Sequence, residues 1–178
     1  MSRDLTNEKA WCANLMTTTE PQANGKLARL VDVAPQGQPH RLEVGFCCLG
    51  IGSKQAGVHW ERFDNEDEDE DGAVFYFGTD AVDGLAPREF IEWLGFEVPL
   101  GKGTSEFDLV LDWPEDWTLP SHQHIGTDET HRGCVTHDGD RYVHDRTTDC
   151  SGLNDNLGLT FAQIGQLVNY IGLKGVRT

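Results

Sequence analysis

Towards the C-terminus the apolar residues Phe161, Ile164, Leu167, Val168 and Ile171 recur every three to four positions, the stripe of a helix that lays one face on a core. Thr160-Phe161-Ala162-Gln163 has the form of a capping box, Leu159 and Ile164 stand where a hydrophobic staple needs them, and Gly172 ends the pattern. A second helix is expected over residues 7–16, with Thr6 or Asn7 as its cap and Ala10, Trp11, Ala13 and Leu15 as its apolar surface, before Pro21 and the Asn24-Gly25 turn. A third is expected over 85–94. Pro87 suits its first turn, Phe90, Ile91 and Leu94 share a face, and Gly95 is placed to end it.

Elsewhere the period drops to two. Leu42, Val44 and Phe46 alternate with other residues and run into the small-residue stretch Cys47-Cys48-Leu49-Gly50-Ile51-Gly52, which reads as a strand entering a close-packed turn or helix start. Ala73-Val74-Phe75-Tyr76-Phe77 is β-branched and aromatic between Gly72 and Gly78, a strand pattern. Phe107, Leu109 and Leu111 alternate with Asp108 and Asp112, giving a strand with one wet edge or face that stops at Trp113-Pro114. Residues 26–33 fit a strand or a helix. Asp138-Gly139 between Val135-Thr136-His137 and Arg141-Tyr142-Val143 is a hairpin signal. The fold class expected is α+β, a single domain over residues 1–178. It has a small, mostly antiparallel sheet from the segments near 42, 74 and 108 and the hairpin, packed with three or more short helices. The acidic loop 61–72 and the His-rich segment 122–150 read as insertions.

Composition supports one ordinary domain: 178 residues, 38% hydrophobic, with five Trp and eight Phe, can bury a core. No leader pattern opens the chain, and no apolar run approaches the roughly 18 residues of a membrane helix, so a cytoplasmic protein is expected. In that compartment Cys12, Cys47, Cys48, Cys134 and Cys150 read as thiols. A bridge between adjacent Cys47 and Cys48 would be strained, so that pair reads as two small buried hydrophobes.

Charge changes the picture most. The net charge is −16, and between His59 and Trp117 three basic residues stand against 18 acidic ones, a local −15. It peaks at Glu66-Asp67-Glu68-Asp69-Glu70-Asp71. A field of this sign repels nucleic acid and anionic membrane and attracts divalent cations or basic protein surfaces.

Several motifs, in order, carry a resemblance. Gly45-Phe46-Cys47-Cys48-Leu49-Gly50-Ile51 is similar to the "FCCLGV" element of an uncharacterised family of small phage and prophage proteins. Leu85-Ala86-Pro87 leading to Trp93-Leu94-Gly95 is similar to that family's Pro-initiated helix ending in "WLGL". Leu153-Asn154-Asp155 followed by Leu159-Thr160-Phe161-Ala162-Gln163-Ile164 resembles its "LNDxGxTFxxIAxLI" signature, and Trp11 with Gly25-Lys26-Leu27 fits the same order. The resemblance implies a phage accessory protein and no particular activity. The chain departs from the pattern in its acidic insertion and in residues 122–150.

Candidate chemistry is sparse. Asp67-x-Asp69-x-Asp71-Gly72 matches the first half of a calcium loop, but the twelfth position is Gly78 where a bidentate Glu is required. Five of the seven His lie between His122 and His144, and His122, His124, His131 and His144 are the candidate zinc ligands, with Cys134 and Cys150 nearby. His122-x-His124 would open a metallo-β-lactamase motif, yet Gly126-Thr127 stand where that motif needs Asp-His. No nucleophile elbow, phosphate loop or dinucleotide fingerprint is complete, so no catalytic residue is assigned and no cofactor beyond zinc or calcium is implied. Trp60, Trp113 and Trp117 beside carboxylates make aromatic anchors inside an acidic rim. The expectation is a non-catalytic phage protein that binds a basic host-protein surface through residues 66–71, Trp113 and Trp117, in its sharper form a DNA mimic. Direct nucleic-acid or membrane partners are not expected. The alternative is a zinc module or metal-dependent hydrolase built on residues 122–150.

Overall fold

A computed structural model describes residues 4–64, 73–77, 85–98, 108–112, 147–155 and 158–177. Along the chain run α1 (Leu5–Thr17), β1 (Ala28–Asp32), β2 (Leu42–Phe46), α2 (Cys48–Gln55), β3 (Trp60–Asp64), β4 (Ala73–Phe77) and α3 (Arg88–Trp93). After them come β5 (Asp108–Asp112), β6 (Thr147–Asp149), α4 (Cys150–Asp155), α5 (Phe161–Ile171) and β7 (Leu173–Arg177). The class is α+β with antiparallel strand pairing, as the pattern implies. The strands divide between two sheets, however: β2-β1-β4-β3 holds the segments near 42 and 74, and β6-β5-β7 holds the one near 108. The Asp138-Gly139 hairpin lies outside the described residues.

Local chemistry sets the helix ends. Asp4, not Thr6 or Asn7, caps α1, its Oδ1 accepting from the N–H groups of Thr6 and Asn7 at 2.9 and 3.2 Å. The buried face of α1 is Glu8, Trp11, Cys12 and Leu15, so Cys12 takes the inward position that composition suggests for Ala13, which is exposed. α3 starts only at Arg88, because Pro87 holds extended backbone as its N-cap. Its far end is a Schellman turn: Gly95 at φ 84° and Phe96 donate back to the carbonyls of Glu92 and Ile91. The next two carbonyls are taken by α1, since Asn7 Nδ2 donates to Trp93 O at 2.7 Å and the Asp4 N–H to Leu94 O at 3.0 Å. α5 carries the expected capping box between Thr160 and Gln163.

Buried apolar residues from both sheets and from the helices form one cluster. Trp11 meets the edge of Phe90 at 5.3 Å between ring centroids, and its Nε1–H donates to Cys48 O at 3.1 Å. Glycine sets the approach of the backbone in two places. A Cβ on Gly50 would lie 1.9 Å from Leu27 O, and one on Gly165 would lie 2.8 Å from Cys12 O, so α2 reaches β1 and α5 reaches α1 only because neither has a side chain. β5 differs from its expected wet face: as the centre of its sheet it buries Leu109, Val110 and Leu111 in succession. No helix among the described residues is long and apolar enough to cross a membrane.

Candidate functional site

The candidate residues divide into those the structure describes and those it does not. Glu66, Asp67, Glu68, Asp69, Glu70 and Asp71 lie outside the described residues, as do Trp113, Trp117, His122, His124, His131 and His144. The strands that flank these segments are described. β3 and β4 pair antiparallel, with Asp64 opposite Ala73 and Trp60 opposite Phe77, so the chain leaves for the acidic run and returns from it at adjacent positions. β3 is the outer strand of its sheet, and Trp60 on it is 38% exposed. In the second sheet Asp112 stands opposite Thr147, so the segment holding the four candidate His and both Trp also departs and returns at neighbouring points.

The cysteines follow the thiol reading wherever they are described. Cys12, Cys47, Cys48 and Cys150 are buried thiols outside any disulfide. Cys47 caps α2, its Sγ accepting from the Gly50 N–H at 3.4 Å, while the Cys48 thiol donates to Cys150 O at 3.2 Å. Burial drives the Cys48 pKa well above the usual thiol range, and neighbouring Cys47, Cys150 and Asp155 push the same way. A thiol held neutral inside the core is a poor nucleophile and a poor metal ligand. Among the described residues no group of three or more His, Cys, Asp or Glu could hold a metal ion.

The motifs that carry the family resemblance are likewise filled by packing. In Cys47-Cys48-Leu49-Gly50-Ile51-Gly52 the first residue is a cap, Gly50 meets the Leu27 carbonyl, and a Cβ on Gly52 would sit 2.1 Å from the Phe90 ring. Leu153-Asn154-Asp155 is built around a polar knot that the pattern of hydrophobic residues gives no hint of. Asn154 is fully buried, and its Nδ2 stands within hydrogen-bond reach of Ala23 O at 2.8 Å, Asn24 Oδ1 at 3.1 Å and Asp155 Oδ1 at 2.6 Å. Its Oδ1 accepts from Gln22 Nε2 at 3.0 Å, which also donates to Leu159 O at 2.6 Å. Satisfied in this way, Asn154 ties α4 to the segment before β1. Compared with protein-family models, curated proteins and solved structures, the chain matches none of them.

Proposed function

We propose that the protein is a phage-encoded, non-catalytic accessory protein that acts in the host cytoplasm by binding a host protein through its acidic surface. In this reading six consecutive carboxylates meet a basic surface of the kind that ordinarily contacts nucleic acid, and the complex inhibits that partner by mimicking DNA. One observation carries most of the weight: β3, the outer strand of its sheet, and β4 pair so that the chain leaves for the acidic run after Asp64 and returns at Ala73, directly opposite. Six consecutive carboxylates on the connection between these strands concentrate a negative field that favours an approaching cation-rich surface. The exposed Trp60 supplies an aromatic contact on the same strand. The concentration of charge in the middle of the chain and the resemblance to phage accessory proteins point the same way.

The test is capture from host lysate with the wild-type chain and with a variant in which residues 66–71 are replaced by Ser and Asn, each at about 50 and 300 mM salt, where screening differs severalfold. The expected result is a defined protein held at low salt, weakened at high salt and lost in the variant. Capture of the same protein by the neutralised chain would remove the role given to the carboxylates. Stoichiometric zinc in protein purified without added metal, lost in His124→Ala and His131→Ala, would replace this reading with the metal-centred one.

A further inference from the structure

We propose that the outer edge of β2 is a self-complementary pairing edge through which two copies of this chain associate about a two-fold axis. The direction of the backbone groups decides which residues face outward. Cys47 N–H donates to Leu27 O and Val33 N–H to Arg41 O, so in the β1–β2 ladder the odd-numbered residues of β2 bond to β1. The even-numbered ones point their N–H and C=O away from it. Phe46 obeys this rule: its N–H donates to Pro21 O and its C=O accepts from Ala23 N–H, so residues 21–23 cover that end of the edge. Next in line are Val44 and Leu42, whose outward groups have no partner among the described residues.

The side chains at the open end are in water. Leu42 is 46% exposed, and the side chains of Arg41 and Glu43 are 68% and 47% exposed. Arg41 and Glu43 lie on the same face of the strand, where Nε and Oε1 meet at 3.2 Å. An exposed edge with an apolar residue in its middle is a template for another strand, and its charges select which one.

Here they select a second copy. An antiparallel pair centred on Leu42 exchanges two Leu42 backbone hydrogen bonds across the axis, sets Leu42 against Leu42, and places Arg41 of each copy opposite Glu43 of the other, two opposite-charge pairs by symmetry. Shifting the centre to Glu43 would set carboxylate against carboxylate, and centring on Val44 would need the edge of Phe46 that residues 21–23 already occupy. A pairing this short makes a weak dimer.

Sedimentation equilibrium of the full chain from about 10 μM to about 1 mM spans the affinities such an interface reaches. The expected result is a monomer–dimer equilibrium. Leu42→Pro removes an outward N–H while leaving the bonds to β1, and is expected to abolish the dimer with an unchanged urea midpoint. Arg41→Glu and Glu43→Arg each create two like-charge pairs and are expected to weaken association roughly tenfold or more. The double variant Arg41→Glu with Glu43→Arg restores opposite charges and is expected to return to near wild-type affinity, a readout that does not depend on how Leu42→Pro folds. A wild-type chain that stays monomeric at the highest concentration, or a double variant no better than either single one, would overturn the proposal. So would a monomeric chain whose Leu42→Pro variant loses a captured host protein, since the edge would then belong to that protein.

Discussion

At the scale of single residues the structure separates positions that fill space from positions that hold polar groups. Asn154→Leu keeps the bulk of a buried side chain but leaves the Ala23 carbonyl without its donor and Gln22 without one of its two acceptors. The expected loss is about 2–3 kcal/mol, read as a lower urea midpoint at constant slope. Gly50→Ala tests the steric side. Its new methyl would meet a backbone carbonyl 1.9 Å away, whereas at Gly25, with φ 77°, nothing lies within 4 Å. Gly50→Ala is therefore expected to cost about 3 kcal/mol or to prevent folding, and Gly25→Ala about 1 kcal/mol from backbone conformation alone. Cys48 gives a pH dependence whose sign is fixed. Its thiol titrates higher in the folded chain than the ordinary value of 9.0, so the folded state is favoured fully below that value and loses the advantage as the unfolded thiol ionises above it. The urea midpoint is expected to fall as pH rises past about 9, and Cys48→Val to lessen that fall. An unchanged slope in Cys48→Val would show that other groups carry it.

At the scale of elements, what was legible in the sequence follows from how local each cause is. α5 is written in its own residues: the capping box at Thr160, the stripe at Phe161, Ile164, Leu167 and Val168, and Gly172 at its end all reappear. Thr160→Ala should accordingly behave as a local cap deletion, costing about 1 kcal/mol by denaturant unfolding. β2 and β4 were legible for the same reason, since alternation and β-branched content act within the strand. α4 was not. Cys150-Ser151-Gly152-Leu153-Asn154-Asp155 contains weak helix formers, and the helix is held by Asn154 reaching residues more than a hundred positions away. β3 has Trp60 and Phe63 three apart and charges between them, which breaks the period of two; its strand character comes from pairing with β4. β7 follows α5 after the single residue Gly172 and contains Gly175, and its ladder with β5 shifts register between Val110 and Leu111. Partners distant in sequence supply what these segments lack.

At the scale of the whole molecule, strand register brings together points that are far apart along the chain. The connections that carry the acidic run and the candidate His each leave and return at paired positions, Asp64 with Ala73 and Asp112 with Thr147. Sequence alone shows both segments as departures from the surrounding pattern, because charge runs and His spacing are visible in order along the chain. It does not show that their ends are brought together, because that depends on strand register. The register has a thermodynamic consequence. Closing a long connection between two strands opposes folding by an amount that grows with the logarithm of its length, about 0.6 kcal/mol per doubling. Replacing residues 113–146 by a short Asn-Gly turn joins Asp112 to Thr147 across a pair the ladder already forms, so the shortened chain is expected to unfold cooperatively and, over about four halvings of length, to gain about 2–2.5 kcal/mol from the shorter connection. The same variant separates the two functional readings. On the reading proposed here it keeps salt-sensitive capture through residues 66–71, although Trp113 and Trp117 are gone and binding is weaker. A shortened chain that folds but holds no partner would move recognition to the excised segment, and one that loses both stability and bound zinc would make that segment a metal-dependent part of the body.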